Sequence, residues 1–316
     1  MKILVAMSGG IDSAVSALFL KLWGYKVEGL TFRLNNSNDG VEQAQLVAKF
    51  LNISHHIIDI RKEFNKEVIE SSWALYKNNK TPNPCAFCNQ FIKFPYLFKF
   101  ADEHNIEFVS SGHYAISKNN KLYRGLDTTK DQSYFLYSLT NLNRIIFPLG
   151  ETTKEAAKEF AKKVDLPNAN RKESQNLCFG SFPELIEAKS NEDCSGDIIY
   201  NSKVIGKHNG TYNFTIGQRK GALGKYVIGF EGNKVIVDDK PVETNRITIS
   251  NLNWVGKYQE DVLVQTRYRQ RPVPAKLEMG GSVVRFSIGQ PSVATGQIAV
   301  FYNENEVLGG GIINGY

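Results

Sequence analysis

The sequence predicts an α/β domain built on a parallel sheet, followed by a small bridging domain and a C-terminal antiparallel β-barrel. Three observations carry that prediction. Strand-like and helix-like segments alternate through the first third of the chain, the order of a parallel sheet covered by helices. The alternation gives way from Lys154, where a Lys/Glu-rich helical stretch leads into a polar loop. After Gly224 short strand candidates follow one another with turn residues between them, as in a small barrel. The expected domain limits are 1–165, 166–225 and 226–316.

Lys2 to Ala6 is an apolar run ending in SGG, and Ile11 to Trp23 carries a helical apolar period through Val15, Leu18, Phe19 and Trp23. Lys26 to Phe32 reads as a strand, Val41 to Leu51 as a helix and Ser54 to Ile60 as a strand. Phe91 to Asn105 again has helical spacing, and Glu107 to Ser111 is strand-like. Lys154 to Val164 is the last helix of this half. Asp197 to Tyr200 and Lys203 to Ile205 are short strands of the bridging region. The barrel candidates are Tyr226–Phe230, Lys234–Val237, Val262–Tyr268, Ser282–Ser287, Gln297–Tyr302 and Glu306–Leu308.

The chain has 316 residues, 42% of them hydrophobic and 22% charged, which suits a soluble globular protein of two or three domains. No apolar run reaches the roughly 18 residues of a membrane span, and MKILVAMSGG is too soon broken by glycine to read as a leader. A net charge of +6 and a pI near 8.9 are compatible with a polyanionic partner. Four cysteines without a regular disulfide spacing point to a reducing, cytoplasmic setting, where clustered thiols serve catalysis or metals.

Ser8-Gly9-Gly10-Ile11-Asp12-Ser13 follows the first strand and opens the first helix. Two glycines let the backbone approach an anion, and the positive end of the helix attracts it. Asp12 is unfavourable beside phosphate unless it binds Mg²⁺ or orients the loop. A capped strand-to-helix turn is the plain alternative. The loop is not the lysine-bearing phosphate loop G-x-x-x-x-G-K-[ST], because no lysine follows the second glycine. It resembles the pyrophosphate-loop ATPases of the adenine nucleotide alpha hydrolase-like fold, which cleave ATP between its α and β phosphates and adenylate a carbonyl oxygen.

Cys85 and Cys88 form a C-x-x-C in TPNPCAFCNQF, stiffened by two prolines and placed just before a helix. Half a zinc site, a redox pair and an activated nucleophile are all open to such a pair. Zinc would need a second close pair, and Cys178 and Cys194 are sixteen residues apart. Cys194, between NED and SG, reads as a bystander. TRYRQRP places three arginines and a tyrosine within six residues, suited to phosphate pairing and base stacking, or else a solvated basic strand. IGQRKG adds two cations flanked by glycines.

The strings SGGIDS, TPNPCAFCN, SGHYA, KDQSYFLYSL, FPLGETTKE, ESQNLCFG, YNFTIGQRKG, TRYRQ and GQIAVFY…LGGGII resemble, in this order, the bacterial tRNA-specific 2-thiouridylase family. The resemblance runs from residue 1 to the last few residues. It implies an ATP- and Mg²⁺-dependent sulfurtransferase that adenylates the C2 oxygen of the wobble uridine in tRNAs for Lys, Glu and Gln and replaces it with sulfur. ATP would be bound by Ala6, Met7, Ser8, Gly9, Gly10, Ile11, Asp12, Ser13, Phe32 and Gly112, with Phe32 standing where relatives often have methionine. Cys88 and Cys178 match the catalytic cysteines. Cys178 would take a persulfide from a sulfur-donor protein and end in a disulfide with Cys88. Asn83, Pro84 and Cys85 would lie against the target base. His113, Lys130, Asp131, Gln132, Arg267, Tyr268 and Gln297 match tRNA-contacting positions, although His113 by itself also reads as a buried, satisfied histidine. A monomer is expected, with tRNA and the sulfur donor as partners and no membrane.

The chain departs from many relatives at Cys85, which is often aspartate. With Cys88 and Cys178 it makes three thiols that could hold a [4Fe–4S] cluster with one open iron. Two other functions are set against this reading: a pyrophosphate-loop ligase acting on a small molecule, and a non-catalytic RNA-binding protein with a metal-stabilised C-x-x-C.

Overall fold

Ile3, Leu4 and Val5 are fully buried in the first strand, β1 (Lys2–Ala6). So continuous an apolar run suits a central strand covered on both faces. In the computed structural model, which describes residues 1–171 and 194–316, the chain forms two compact units. The first holds residues 1–68, 85–171 and 305–307; the second holds 69–84, 194–304 and 308–316.

In the first unit β1 leads through α1 (Ile11–Leu22) to β2 (Lys26–Arg33), then through α2 (Asp39–Leu51) to β3 (Ser54–Asp59) and the short α3 (Arg61–Phe64). The second unit contributes α4 (Ser71–Lys77). A helical run then opens as α5 (Pro84–Phe87), widens to a π-turn at Cys88–Lys93 and continues as α6 (Phe94–Glu103). β4 (Phe108–Ser111), the hairpin β5 (Ala115–Lys118) and β6 (Lys121–Arg124), the short β7 (Ile145–Ile146) and α7 (Lys154–Lys163) complete the unit. Glu306 and Val307 pair antiparallel with β6.

The sheet order is β3-β2-β1-β4-β7, and every pairing is parallel. α1, α2 and α7 bury a common apolar face in which Ala14, Ala17, Ala44, Ala48, Ala157 and Ala161 allow the helices to approach closely. Two βα crossovers carry the chain from β1 outward to β3, and it then returns to lay β4 on the other side of β1. The reversal opens a crevice at the carboxyl ends of β1 and β4, the place where open α/β sheets bind ligands.

The second unit contains a four-stranded sheet made from β8 (Gly196–Tyr200), β9 (Lys203–His208), β10 (Tyr226–Glu231) and β11 (Lys234–Asp238). Its order is β10-β11-β8-β9, around Ile198, Phe214, Val227, Val235 and Val237. A further six strands follow: β12 (Glu243–Trp254), β13 (Asp261–Gln265), β14 (Val273–Glu278), β15 (Val283–Pro291), β16 (Ile298–Asn303) and β17 (Glu306–Gly315). They run β12-β15-β14-β13-β16-β17, and β12 also pairs with β17, so the barrel closes on itself. Closure removes the unpaired edges an open sheet would expose. Ile247, Val264, Leu277, Val284, Phe301 and Ile313 fill it.

The predicted fold class holds in both halves: a parallel sheet first, a closed antiparallel barrel last. Several elements differ in detail. Tyr226–Phe230 and Lys234–Val237, expected in the barrel, form β10 and β11 of the four-stranded sheet, where β11 pairs with β8. β13 stops at Gln265, so Arg267 and Tyr268 lie in a turn and not on a strand. Thr266 Oγ1 donates to Gln270 Oε1 at 2.9 Å across that turn, and Arg269 takes a positive φ of 67°. β12 and β14 are not evident in the sequence, the first because bulges near Thr244, Thr248 and Ser250 break its alternation and put exposed Glu243, Asn245 and Asn251 at the same parity as buried Ile247 and Ile249, the second because Pro274 interrupts its pattern. Among the described residues no helix is long and apolar enough to cross a membrane.

Candidate active site

The loop Ser8–Ser13 lies at the crevice between β1 and β4. Gly9 takes a φ of +76°, and a Cβ there would stand 2.5 Å from the carbonyl oxygen of Gly40, so no other residue fits without movement. Gly10 caps α1 in extended conformation and offers no side chain to the first-turn N–H groups. Ser13 Oγ donates to Gly10 O at 3.0 Å and accepts from Ser8 N at 3.2 Å, which folds the loop back on its own helix. The result is a concave backbone at an uncapped helix N-terminus, a site for phosphate. Gly112, just past β4, packs against the same turn; a Cβ on it would meet Asp12 C and Ser13 N at 2.8 Å. Phe32 is half-buried at the end of β2. The expected ATP residues of the loop, Phe32 and Gly112 therefore occupy the carboxyl ends of three neighbouring strands. Ala6, Met7 and Ile11 are buried and support the loop from below.

Asp12 is held from two sides. Lys154 Nζ lies 2.6 and 2.7 Å from its two oxygens, and the Tyr114 hydroxyl donates to Oδ1 at 2.8 Å. Of the two roles the sequence leaves to Asp12, this geometry fits orientation of the loop: a dication at the carboxylate would face an ammonium already in contact with it. The other wall of the loop is fixed through Gly9, whose carbonyl accepts from Asn168 Nδ2 at 2.9 Å and Arg171 Nη1 at 3.2 Å, while Arg171 also pairs with Asp39. Lys154, Tyr114, Asn168 and Arg171 are not singled out as site residues by the sequence. Lys154 and Tyr114 fall inside the strings FPLGETTKE and SGHYA, which is the available signal; Asn168 and Arg171 have none.

Cys85 is half-buried in α5 and Cys88 is buried at the start of the π-turn. Such turns are over-represented at functional sites because they displace one residue from the regular helix. Three residues apart in one helical run, the two thiols share a face. Asn89, 2% exposed, donates to Phe135 O at 3.3 Å, and its buried Oδ1 has no hydrogen-bond partner among the described residues. Cys178 lies outside the described residues. Among the described residues no three His, Cys, Asp or Glu side chains gather to hold a metal.

His113 is buried between the rings of Phe94 and Phe147, with Nδ1 2.7 Å from Ser111 Oγ. Burial, then the charge of Lys93, pushes it well below the ordinary histidine value, so it is neutral. Asp131 accepts from Gly125 N and Ser133 N at 3.0 and 3.1 Å and from Ser133 Oγ at 3.0 Å, and burial raises its carboxyl. Gln132 Oε1 accepts from Tyr114 N at 3.1 Å. Both side chains fix local backbone; Lys130 is half-exposed beside them.

In the second unit Asn83, Arg267, Tyr268 and Gln297 line one cavity of about 250 Å³, together with Thr81, Thr215, Thr266, Ser292 and Ala294. Gln297 binds the loop that carries Asn83: Nε2 is 3.2 Å from Thr81 O and 3.0 Å from Pro82 O, and Oε1 accepts from Asn83 Nδ2 at 3.4 Å. Thr81 N donates to Thr295 O at 2.8 Å, completing the clamp. A cationic guanidinium, a phenol ring and hydroxyl and amide groups around one hollow can hold a nucleotide: phosphate on the arginine, base against the ring.

Three family profiles match in series: a "tRNA methyl transferase HUP domain" over residues 1–181, a "tRNA methyl transferase PRC-barrel domain" over 184–251, and an "aminomethyltransferase beta-barrel domain" over 244–313. The chain is 38% identical over 335 residues to the tRNA-specific 2-thiouridylase MnmA of a Nitratiruptor species, covering 99% of both chains. It is 37% identical over 336 residues to the protein of the same description from Sulfurimonas denitrificans, covering 99% of this chain and 98% of that one. A Campylobacter jejuni protein so described is 36% identical over 337 residues, covering 99% and 100%.

Proposed function

The chain belongs to the tRNA-specific 2-thiouridylase (MnmA) family, and on that premise we propose that it uses ATP to exchange the C2 oxygen of the wobble uridine for sulfur in tRNAs for Lys, Glu and Gln. The observation that carries this reading is the Ser8–Ser13 loop: a glycine-built concavity on an uncapped helix N-terminus, at the point where the strand order of the sheet reverses.

A urea-like carbonyl oxygen is a poor leaving group and must be activated. On this reading the loop N–H groups and the α1 N-terminus hold the phosphates of ATP while the uridine O2 attacks the α-phosphorus. That step forms an O–P bond, releases pyrophosphate and leaves the base adenylated. Preorganised N–H donors stabilise the charge gathering on the phosphate oxygens as the bond changes hands. Phe32 and Gly112 border the adenosine; Mg²⁺ would be held by the nucleotide's phosphates and not by Asp12, whose carboxylate is taken by Lys154.

Sulfur then arrives as the terminal atom of a persulfide on Cys178, loaded by a donor protein. The terminal sulfur attacks C2, and AMP leaves with the original oxygen. Cys88 attacks Sγ of Cys178, freeing 2-thiouridine and leaving a Cys88–Cys178 disulfide that a cellular thiol reduces; alternatively Cys88 releases the sulfur as sulfide before attack. Asn83, Pro84 and Cys85 lie against the target base, Arg267 and Tyr268 contact the tRNA, and Gln297, matched to a tRNA-contacting position, acts by holding the loop that carries Asn83. A [4Fe–4S] cluster on Cys85, Cys88 and Cys178 is the alternative sulfur carrier and would supply an open iron for sulfide.

The test is sulfur incorporation into unmodified tRNA-Glu transcript, followed by mercury-gel retardation, with metal-free protein, ATP–Mg²⁺ and a persulfide donor. Retardation that requires ATP and disappears in Cys178→Ala supports the persulfide route. Retardation obtained only after anaerobic cluster reconstitution supports the cluster, and none under either condition refutes the function.

A further inference from the structure

We propose that Lys154 is the internal counter-ion of the phosphate loop: it cancels the charge of Asp12, so that the loop keeps the hydrogen bonds of that carboxylate and still accepts a nucleotide polyphosphate. The inference deepens the nucleotide-binding reading above and rests on it.

The loop carries an apparent contradiction. An anion is to be bound where a carboxylate already stands, on the first turn of the helix whose N-terminus would attract that anion. The side chain that meets the carboxylate is a lysine only 10% exposed, while Asp12 is 35% exposed. Burying an ammonium is costly unless it is paired and hydrogen-bonded, and helix formation gives no reason for it to be there. Lys154 is the first residue of α7, where a cation opposes the helix dipole. That terminus is already served by other groups: Thr153 Oγ1 accepts from Ala156 N at 3.2 Å, and Asp127 Oδ2 accepts from Lys154 N at 3.0 Å.

The ammonium instead spans both oxygens of Asp12 at 2.6 and 2.7 Å, 142 residues away in sequence. Tyr114 completes the arrangement, with its hydroxyl on Oδ1 and its ring 5.8 Å below Nζ. Asp12 is thereby fixed as a strut and neutralised as a charge. A phosphate approaching Gly9 and Gly10 meets a neutral pair and the positive end of α1. Lys154 is a positioning residue in this role, acting through Asp12.

The alternative is that Lys154 serves phosphate directly, and charge arithmetic separates the two. Affinity for ATP in excess EDTA is measured for wild type, Lys154→Met, Asp12→Asn and the double variant. Acting as a counter-ion, Lys154→Met leaves an unbalanced negative charge and weakens binding at least about tenfold, whereas Asp12→Asn tightens it. The double variant restores neutrality, keeps an amide oxygen as acceptor for the Tyr114 hydroxyl and returns to within about threefold of wild type. A double variant about tenfold or more weaker than wild type overturns the proposal. The double variant carries no buried charge, so it decides the matter even where Lys154→Met does not fold. Wild-type protein that binds no ATP at all refutes the nucleotide reading itself, which is a different failure.

Discussion

Gln297 donates to two consecutive backbone carbonyls, Thr81 O and Pro82 O, directly before Asn83 and Pro84. Replacing it by alanine removes both bonds, together with the long 3.4 Å bond from Asn83 Nδ2 to its Oε1, which adds little. Each has a net value of about 0.5–1.5 kcal/mol, so the loop loses about 1–3 kcal/mol of local stability, nearer the lower figure because water can reach a half-buried site. At about 1.4 kcal/mol per tenfold, the fraction of protein with Asn83 in place falls by about one order of magnitude once the loosened form dominates. The expected outcome for Gln297→Ala is a kcat for tRNA thiolation about tenfold lower, with KM for tRNA changed less than about threefold. Gln297→Glu is expected to be worse, because its carboxylate oxygens would face the two carbonyl oxygens. Single-turnover thiolation and tRNA titration measure the two parameters separately. An unchanged kcat with a KM for tRNA raised tenfold refutes the reasoning and makes Gln297 a direct tRNA contact, with the clamp incidental.

Gly9→Ala forces a side chain into a left-handed conformation and against Gly40, which costs at least about 1–2 kcal/mol. A fall in melting temperature of about 2–8 °C with loss of ATP binding is expected, and calorimetry with and without nucleotide checks it. His113 is held neutral when folded and regains an ordinary value near 6.5 when unfolded, so the unfolded chain binds the extra proton. Stability contributed by His113 is therefore complete above about pH 6.5 and declines as pH falls below it, by up to about 1.4 kcal/mol per pH unit. Urea unfolding of His113→Phe at pH 7 and pH 5 should show a slope smaller by about one proton, the remainder including His55 and His208, which are also lowered by burial. An unchanged slope contradicts the assignment.

Much of this arrangement was legible in the sequence because it is local. An apolar run, SGG and a helical period specify β1, the loop and α1 within twenty-two residues. The run of short strands after Gly224 specifies a barrel, although its first two members, β10 and β11, join the four-stranded sheet instead, and the bulges of the twelve-residue β12 hide its period. Spacing is silent on long-range pairs. The ion pair between Asp12 and Lys154 joins the first turns of two helices far apart in the chain, and its parts read separately as a misplaced acid and an ordinary surface lysine. The clamp of Asn168 and Arg171 on Gly9 O is of the same kind: a backbone carbonyl leaves no trace in a sequence. Arg267 and Tyr268 show the converse limit. Their residue types pointed to nucleic acid, but not to the turn that places them beside Gln297 around one cavity.

The central claim is that ATP activates the uridine oxygen by adenylation, and the fate of that oxygen tests it most directly. A tRNA transcript carrying ¹⁸O at the C2 position of the wobble uridine is thiolated in ordinary water, and AMP and pyrophosphate are analysed by mass spectrometry. The account predicts one ¹⁸O in the phosphate of AMP for each 2-thiouridine formed. Label in pyrophosphate or in released water, with none in AMP, would contradict it.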